Sequence, residues 1–112
     1  MARILIVEDD PIYQQMLTML IDRQEGHIID ARSNVDEVVS ELVGDPPWHV
    51  AFIDAHLAYT STRVLVSKLK DAGVEVNVVS GQNADPEWKY DRWIVKGDKE
   101  AFEEIAEIVA SL

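Results

Sequence analysis

The chain has 112 residues, a net charge of −11 and no cysteine. One domain of this size buries most of its unfolded surface without staples, and disulfides and thiolate metal sites are excluded. The charge argues against nucleic acid and anionic lipid as direct partners, no apolar stretch reaches bilayer length, and no leader-like segment opens the chain, so a cytoplasmic domain with no membrane contact is expected.

Apolar and amphipathic segments alternate. A strand is predicted over 3–8. A helix follows near 11–25, with Asp10 as cap, Pro11 in the first turn and Gly26 closing it. On this helix Tyr13, Leu17, Leu20 and Ile21 share a core face, with Met16 on its flank, whereas Ile12 and Met19 fall opposite. Residues 27–31 form a weaker strand. A helix near 34–43 is capped by Ser33 or Asn34 and ends at Gly44 and the Asp45-Pro46-Pro47 turn. Trp48 plugs the core edge before the strand 49–54. A third helix runs near 61–72, with Thr60, Ser61 and Thr62 as capping candidates, and stops at Gly73. The strand 74–80 precedes a mostly loop-like stretch, 81–91. The strand 92–96 leads to a helix near 99–111, whose Glu100, Glu103, Glu104 and Glu107 face solvent opposite Phe102, Ile105, Ile108 and Val109.

Continuous β-branched runs suit strands buried on both faces of a parallel sheet. The pattern predicts an α/β fold: a doubly wound, five-stranded parallel sheet with right-handed crossovers, in one domain spanning 1–112. No repeat, linker or output domain is expected in the chain.

Four of the runs end in polar residues: Glu8-Asp9-Asp10, Asp54, Ser80 and Lys96. In such sheets chemistry gathers beyond the carboxyl ends of the strands. Taken singly, each residue has a plainer role. Asp10 before Pro11 caps a helix, a lysine after a strand is a surface charge, and Ser-Gly is a turn. Together on one rim they suit a divalent cation and a phosphoryl group. Asp54 is the natural acceptor, forming an acyl phosphate. Asp9 and Asp10 are suitable anchors for Mg2+, which takes hard oxygen ligands at about 2.0–2.1 Å. Lys96 and Ser80 can each meet a phosphoryl oxygen.

Here the chain resembles the receiver domain of two-component response regulators. "ILIVEDDP" resembles that family's acidic opening, "VAFIDAHL" its phosphoacceptor strand, "VVSG" its strand ending in Ser or Thr, and "WIVKG" its lysine strand. The resemblance covers essentially the whole chain. It implies a flavodoxin-like (βα)5 fold in which Asp54 is phosphorylated by a histidine kinase or histidine phosphotransfer protein. It further implies that Asp10, Asp54 and the His56 backbone carbonyl bind Mg2+ directly, with Asp9 acting through a water. Ser80 would move toward the phosphoryl group and Lys96 would contact it. Trp93 stands where the family carries a switching aromatic, and His56 and Gln82 where it tunes phosphoryl lifetime. Ile12 and Met19, close to the acidic rim, form a candidate kinase-docking patch.

Three departures stand out. The family's Pro and Gly after the acceptor are here Ala58 and Thr62, which implies a different loop path. Gly97 follows the lysine where the family has a cis-proline, and a trans bond is expected. The stretch 81–91 is short for the family's fourth helix, so that helix is expected to be short or missing. Trp88, Tyr90 and Trp93 could pack as a lid in its place, and a monomer or weak dimer is expected. Signalling would run through a downstream effector protein, and catalysis would extend only to the chain's own phosphorylation and slow dephosphorylation. The competing reading is a phosphorylation-independent pseudo-receiver acting as an interaction module. A phosphohydrolase is poorer because no second aspartate follows Asp54 closely. A flavodoxin-like cofactor binder is poorer because the acidic rim repels phosphate.

Overall fold

The computed structural model describes residues 2–24, 26–42, 44–58 and 60–112. In chain order its elements are β1 (Arg3–Val7), α1 (Pro11–Asp22), β2 (Ile28–Arg32), α2 (Val35–Glu41), β3 (Val50–Asp54), β4 (His56–Leu57), β5 (Thr60–Ser61), α3 (Arg63–Asp71), β6 (Glu75–Ser80), β7 (Arg92–Val95) and α4 (Ala101–Ala110). Five strands pair in parallel in the order β2-β1-β3-β6-β7. The chain leaves β1 toward one edge and returns through β3 to the other side, so a crevice opens beyond the β1 and β3 ends.

Side-chain alternation along the strands decides which helix lies where. Ile4, Ile6, Val50, Phe52, Val79 and Ile94 pack against Leu17 and Ile21 of α1 and Ile105 and Val109 of α4. Leu5, Val7, Ala51, Ile53, Val76 and Val78 pack against Val38 of α2 and Leu65, Val66 and Leu69 of α3. The sheet is thus covered on both faces, as its unbroken apolar strands require. No helix among the described residues is long and apolar enough to cross a membrane.

Local chemistry sets the helix ends. The Asp10 carboxylate accepts from the N–H groups of Ile12 and Tyr13 at 2.9 and 3.4 Å and starts α1. Asn34 caps α2: its side chain accepts from the Glu37 N–H and donates to the Glu37 carboxylate. At the end of α3, Gly73 sits at φ +89°. Its N–H reaches the Lys70 carbonyl, and the Val74 N–H reaches that of Leu69. This is a Schellman closure, with Val74 and Leu69 both buried.

The structure corrects several predicted boundaries. Helix α1 ends at Asp22 and α2 at Glu41; the predicted last residues, 25 and 43, lie outside the described residues. Helix α3 begins at Arg63 because His56–Leu57 (β4) pair antiparallel with Thr60–Ser61 (β5), a pairing absent from the sequence reading. Helix α4 begins at Ala101, after a turn at 96–100. Phe102 is 39% exposed instead of joining the core, and its ring lies 6.1 Å from that of Tyr13. There is no cis peptide among the described residues, in keeping with Gly97 after the lysine.

The segment 81–91 contains no helix. Trp88 is buried there, and Tyr90 and Trp93 pack partly buried beside it. Trp93 meets both rings edge-on at 5.4 Å. Three aromatic side chains therefore cover the flank of β6 and β7 that a helix would otherwise cover, and they bury much apolar area from a short stretch of chain.

Trp48 fills the base of the α2/α3 face, and its indole N–H donates to Asp30 at 2.9 Å. The Arg3 guanidinium donates to the same oxygen at 2.6 Å. The hydrogen bond from Arg3 holds the Asp30 carboxyl below its ordinary range; burial opposes this and Trp48 assists it. Its stabilising contribution is therefore present above the ordinary carboxylate pKa and is lost as pH falls through the depressed value. Trp48→Phe, which keeps the ring and removes the donor, is expected to lower stability by about 1.5 kcal/mol at pH 7 in urea unfolding. That deficit should shrink on acidification toward pH 3.

Candidate functional site

The two-residue period of three strands continues past their ends and builds the site. Ile6 is followed on its face by Glu8, Phe52 by Asp54 and Ile94 by Lys96. The three polar residues thus arrive above the α1/α4 core from β1, β3 and β7. Lys96 Nζ donates to Glu8 Oε1 at 2.6 Å and to Asp54 Oδ2 at 2.7 Å. It also lies 4.4 Å from the centre of the Tyr13 ring. Glu8 is 1% exposed, and its second oxygen, Oε2, is buried without a hydrogen-bond partner.

The charges are strongly perturbed. Burial is the largest influence on Glu8, contact with Asp54 adds to it, and together they push its pKa up to about 8 against the opposing pull of Lys96. Burial also acts to raise Asp54. The close approach of Glu8 and hydrogen bonds from Lys96 and from the His56 N–H at 3.1 Å outweigh it and hold Asp54 below its ordinary value. Burial acts to lower Lys96, and its two carboxylate partners more than reverse this. At neutral pH, without a cation, the rim therefore holds a protonated Glu8 beside an ionised Asp54 and an ammonium.

Glu8, Asp9 and Asp54 bring one carboxylate oxygen each to within 4.8 Å of one another, so they form a cluster able to hold a metal ion. The sequence reading paired Asp9 with Asp10, and here the geometry differs by one residue. Asp10 is exposed and its carboxylate is used in capping α1, while Glu8 turns inward. Asp9 Oδ2 accepts from the Ala58 N–H at 2.6 Å. Ala58 sits in the left-handed region at φ +53°, at the tip of the β4–β5 hairpin.

The remaining predicted residues surround this centre. Ser80 is 2% exposed at the end of β6, with its Oγ accepting from the Gln82 N–H at 3.0 Å. The Trp93 indole donates to the Gln82 carbonyl at 2.9 Å, which ties β7 to the turn after Ser80. The exposed His56 ring lies 6.5 Å from Trp88. His56, Gln82, Trp88 and Trp93 line an open cavity of about 500 Å³ beyond the end of β3. Ile12 and Met19 are 70% and 55% exposed. Met19, Met16 and Phe102 line a shallow apolar groove between α1 and α4, and Ile12 stands outside it.

Three residues escaped the sequence reading of the site. Glu8 was noticed as an acid, but its face was not worked out. Tyr13 was read as core alone. Thr62 was read as a cap, yet its buried hydroxyl donates to the Asp54 and Ala55 carbonyls at 2.7 and 3.1 Å and pins the exit from β3. A β-hydroxyl eight residues beyond a strand-end aspartate gives no sequence pattern by which this bond could be foreseen.

No protein-family model and no curated protein matches the sequence. Solved structures do. The response regulator TrrA of Thermotoga maritima, in complex with Mg2+-BeF, matches with a TM-score of 0.80 and 21% identity, over 99% of this chain and 98% of that one. A Burkholderia pseudomallei response regulator with a phosphorylated aspartic acid, calcium ion and citrate matches with a TM-score of 0.74 and 19% identity, over 99% and 72%. The receiver domain of a Francisella response regulator matches with a TM-score of 0.80 and 16% identity, over 99% and 95%. The chain has the fold of response regulator receiver domains, as its four strand-end motifs imply.

The raised Glu8 pKa has a measurable consequence. Between its ordinary value near 4.5 and about 8, the folded protein keeps a proton that the unfolded chain has released. Stability conferred by neutral Glu8 is thus complete at low pH and is lost as pH rises through that window. In EDTA, the Tm of Glu8→Gln is expected to exceed that of the wild type at pH 8 by roughly 5 °C or more, and to match it near pH 5.

Proposed function

We propose that the chain is a signalling receiver in which Asp54 accepts a phosphoryl group, with Mg2+ present, from the phosphohistidine of a histidine kinase or histidine phosphotransfer protein. The observation that supports this most is the half-buried Lys96 ammonium bound at once to Glu8 and Asp54. It keeps a reactive carboxylate ionised on a rim otherwise crowded with negative charge. The phosphorylated aspartic acid of the Burkholderia neighbour and the Mg2+-BeF of the Thermotoga neighbour support the same reading, as does a further response regulator in a Mn2+-bound form.

The residues fit a hard cation. Three carboxyl groups converge, and Glu8 Oε2 is buried with no hydrogen-bond partner among the described residues. Glu8, Asp9 and Asp54 would hold Mg2+, with the His56 carbonyl as a further candidate; Asp10 stays with α1. When bound, the cation would neutralise the acceptor and the incoming phosphoryl oxygens. The chain's own residues do the rest. An Asp54 oxygen attacks phosphorus, the P–N bond to the donor imidazole breaks, and the departing nitrogen keeps the bonding pair and takes a proton. The product is an acyl phosphate. Lys96 follows the charge from Asp54 Oδ2 onto a phosphoryl oxygen. The Ser80 hydroxyl, now accepting from Gln82, turns to donate to another. This is catalysis by position and electrostatics, as phosphoryl transfer requires.

Movement of Ser80 would disturb the turn that the Trp93 indole holds, so the aromatic trio would report the phosphorylated population to an effector protein. His56 and Gln82, on either side of the open cavity, would govern access of water and hence phosphoryl lifetime. The pseudo-receiver reading has its own support. Asp9 is tied to the Ala58 N–H and Asp54 is closed by Lys96, an arrangement that is self-sufficient without phosphate.

Intact mass after incubation with acetyl phosphate and Mg2+ separates the two readings. One added phosphoryl group in the wild type, absent in Asp54→Asn, is the expected outcome. No gain in the wild type would leave the pseudo-receiver.

A further inference from the structure

We infer that Tyr13 is a positioning residue for Lys96, its ring face holding the ammonium midway between Glu8 and Asp54; the inference rests on Asp54 being the phosphoacceptor. Lys96 Nζ is 4.4 Å from the ring centroid while donating to both carboxylates at 2.6 and 2.7 Å. An ammonium has three N–H groups on a flexible four-carbon stem and no preferred direction of its own. Two donors go to oxygens. The π-face takes up the remaining side, where a cation is attracted by the ring quadrupole.

The ring is firmly placed. It packs partly buried against the core beneath α1 and α4 and stacks on Phe102, at 28° between planes. Its hydroxyl is buried and has no hydrogen-bond partner among the described residues. An unsatisfied buried hydroxyl is a burden on stability, and phenylalanine would fill the same space without it. What the site uses is therefore the aromatic face and not the phenol.

The contact matters because one ammonium serves two carboxyl groups at once, Glu8 and Asp54. Glu8 is buried more deeply than Asp54, and an ammonium drawn wholly to Glu8 would leave the acceptor uncompensated. The ring contact is indifferent to which oxygen Lys96 faces. It can hold the ammonium at the rim while Asp54 Oδ2 is exchanged for a phosphoryl oxygen. Tyr13 would then act on the rate of the transfer step through Lys96, with little effect on cation affinity.

Two measurements test this on the full chain. Proton NMR of Lys96 should show its ε-methylene and ammonium signals shifted upfield by the ring current in the wild type and in Tyr13→Phe, and returned to ordinary lysine positions in Tyr13→Leu. Phosphorylation by acetyl phosphate at saturating Mg2+ should be within twofold of wild type in Tyr13→Phe and roughly 5- to 30-fold slower in Tyr13→Leu, the range a desolvated cation–π contact supplies. Apparent Mg2+ affinity should be unchanged in both. An unshifted Lys96 in the wild type, a Tyr13→Leu variant as fast as wild type, or a Tyr13→Phe variant as slow as Tyr13→Leu would each overturn the inference. A wild type that takes no phosphoryl group would refute the acceptor reading instead, while the NMR arm would still decide whether Tyr13 holds Lys96.

Discussion

A single ammonium holds the rim together. Lys96 arrives from the edge strand β7, bridges the buried Glu8 of β1 and the Asp54 of β3, and so joins strand ends that β6 keeps apart. Without that cation, two carboxylates would face each other beneath a helix layer. Burying even one unpaired charge there is expensive. The protein answers in two ways: it compensates Asp54 with Lys96, and it keeps Glu8 protonated up to about pH 8. The result is a poised site. In the proposed reading a divalent cation would meet the Glu8, Asp9 and Asp54 cluster and a phosphoryl group would meet Lys96, so either would engage the same small set of contacts.

The surroundings are tied to the same contacts. Thr62 anchors the β3 exit, and the β4–β5 hairpin brings the Ala58 N–H onto Asp9. On the other side, Ser80, Gln82 and Trp93 form a short chain of hydrogen bonds that ends in the aromatic trio. A helix in that place would be held by its own backbone ladder. The segment 81–91 is held by three rings and a few side-chain bonds, so a change at Ser80 meets less resistance there. The missing helix and the large indoles belong to one design, in which side-chain packing takes the place of backbone hydrogen bonding.

Much of this was legible in the sequence because buried parallel strands are hard to disguise. Four of the five runs were unmistakable, and their ends named Asp54, Ser80 and Lys96 directly. The edge strand β2 was fainter, since Ile28 and Ala31 are exposed and its pattern is accordingly mixed. The acidic triplet was misregistered by one. The chain offers three consecutive acids, and only the alternation Ile4, Ile6, Glu8 tells which one continues the inner face. The Asp10–Pro11 pair pointed the same way, because a capping aspartate is already occupied. The pairing of β4 with β5 was not legible, since strands of two residues leave no periodicity. The ring of Tyr13 over Lys96 joins residues 83 positions apart, and no local pattern reports such a contact.

The central proposal is that Glu8, and not Asp10, completes the cation site. Tryptophan fluorescence followed through a Mg2+ titration at pH 7.5 tests this most directly, on the wild type, Asp10→Asn and Glu8→Gln. Trp93 and Trp88 lie close enough to the rim to respond. A saturable response retained in Asp10→Asn and weakened at least tenfold in affinity in Glu8→Gln is the predicted result. Loss of the response in Asp10→Asn with Glu8→Gln binding as the wild type does would contradict the account.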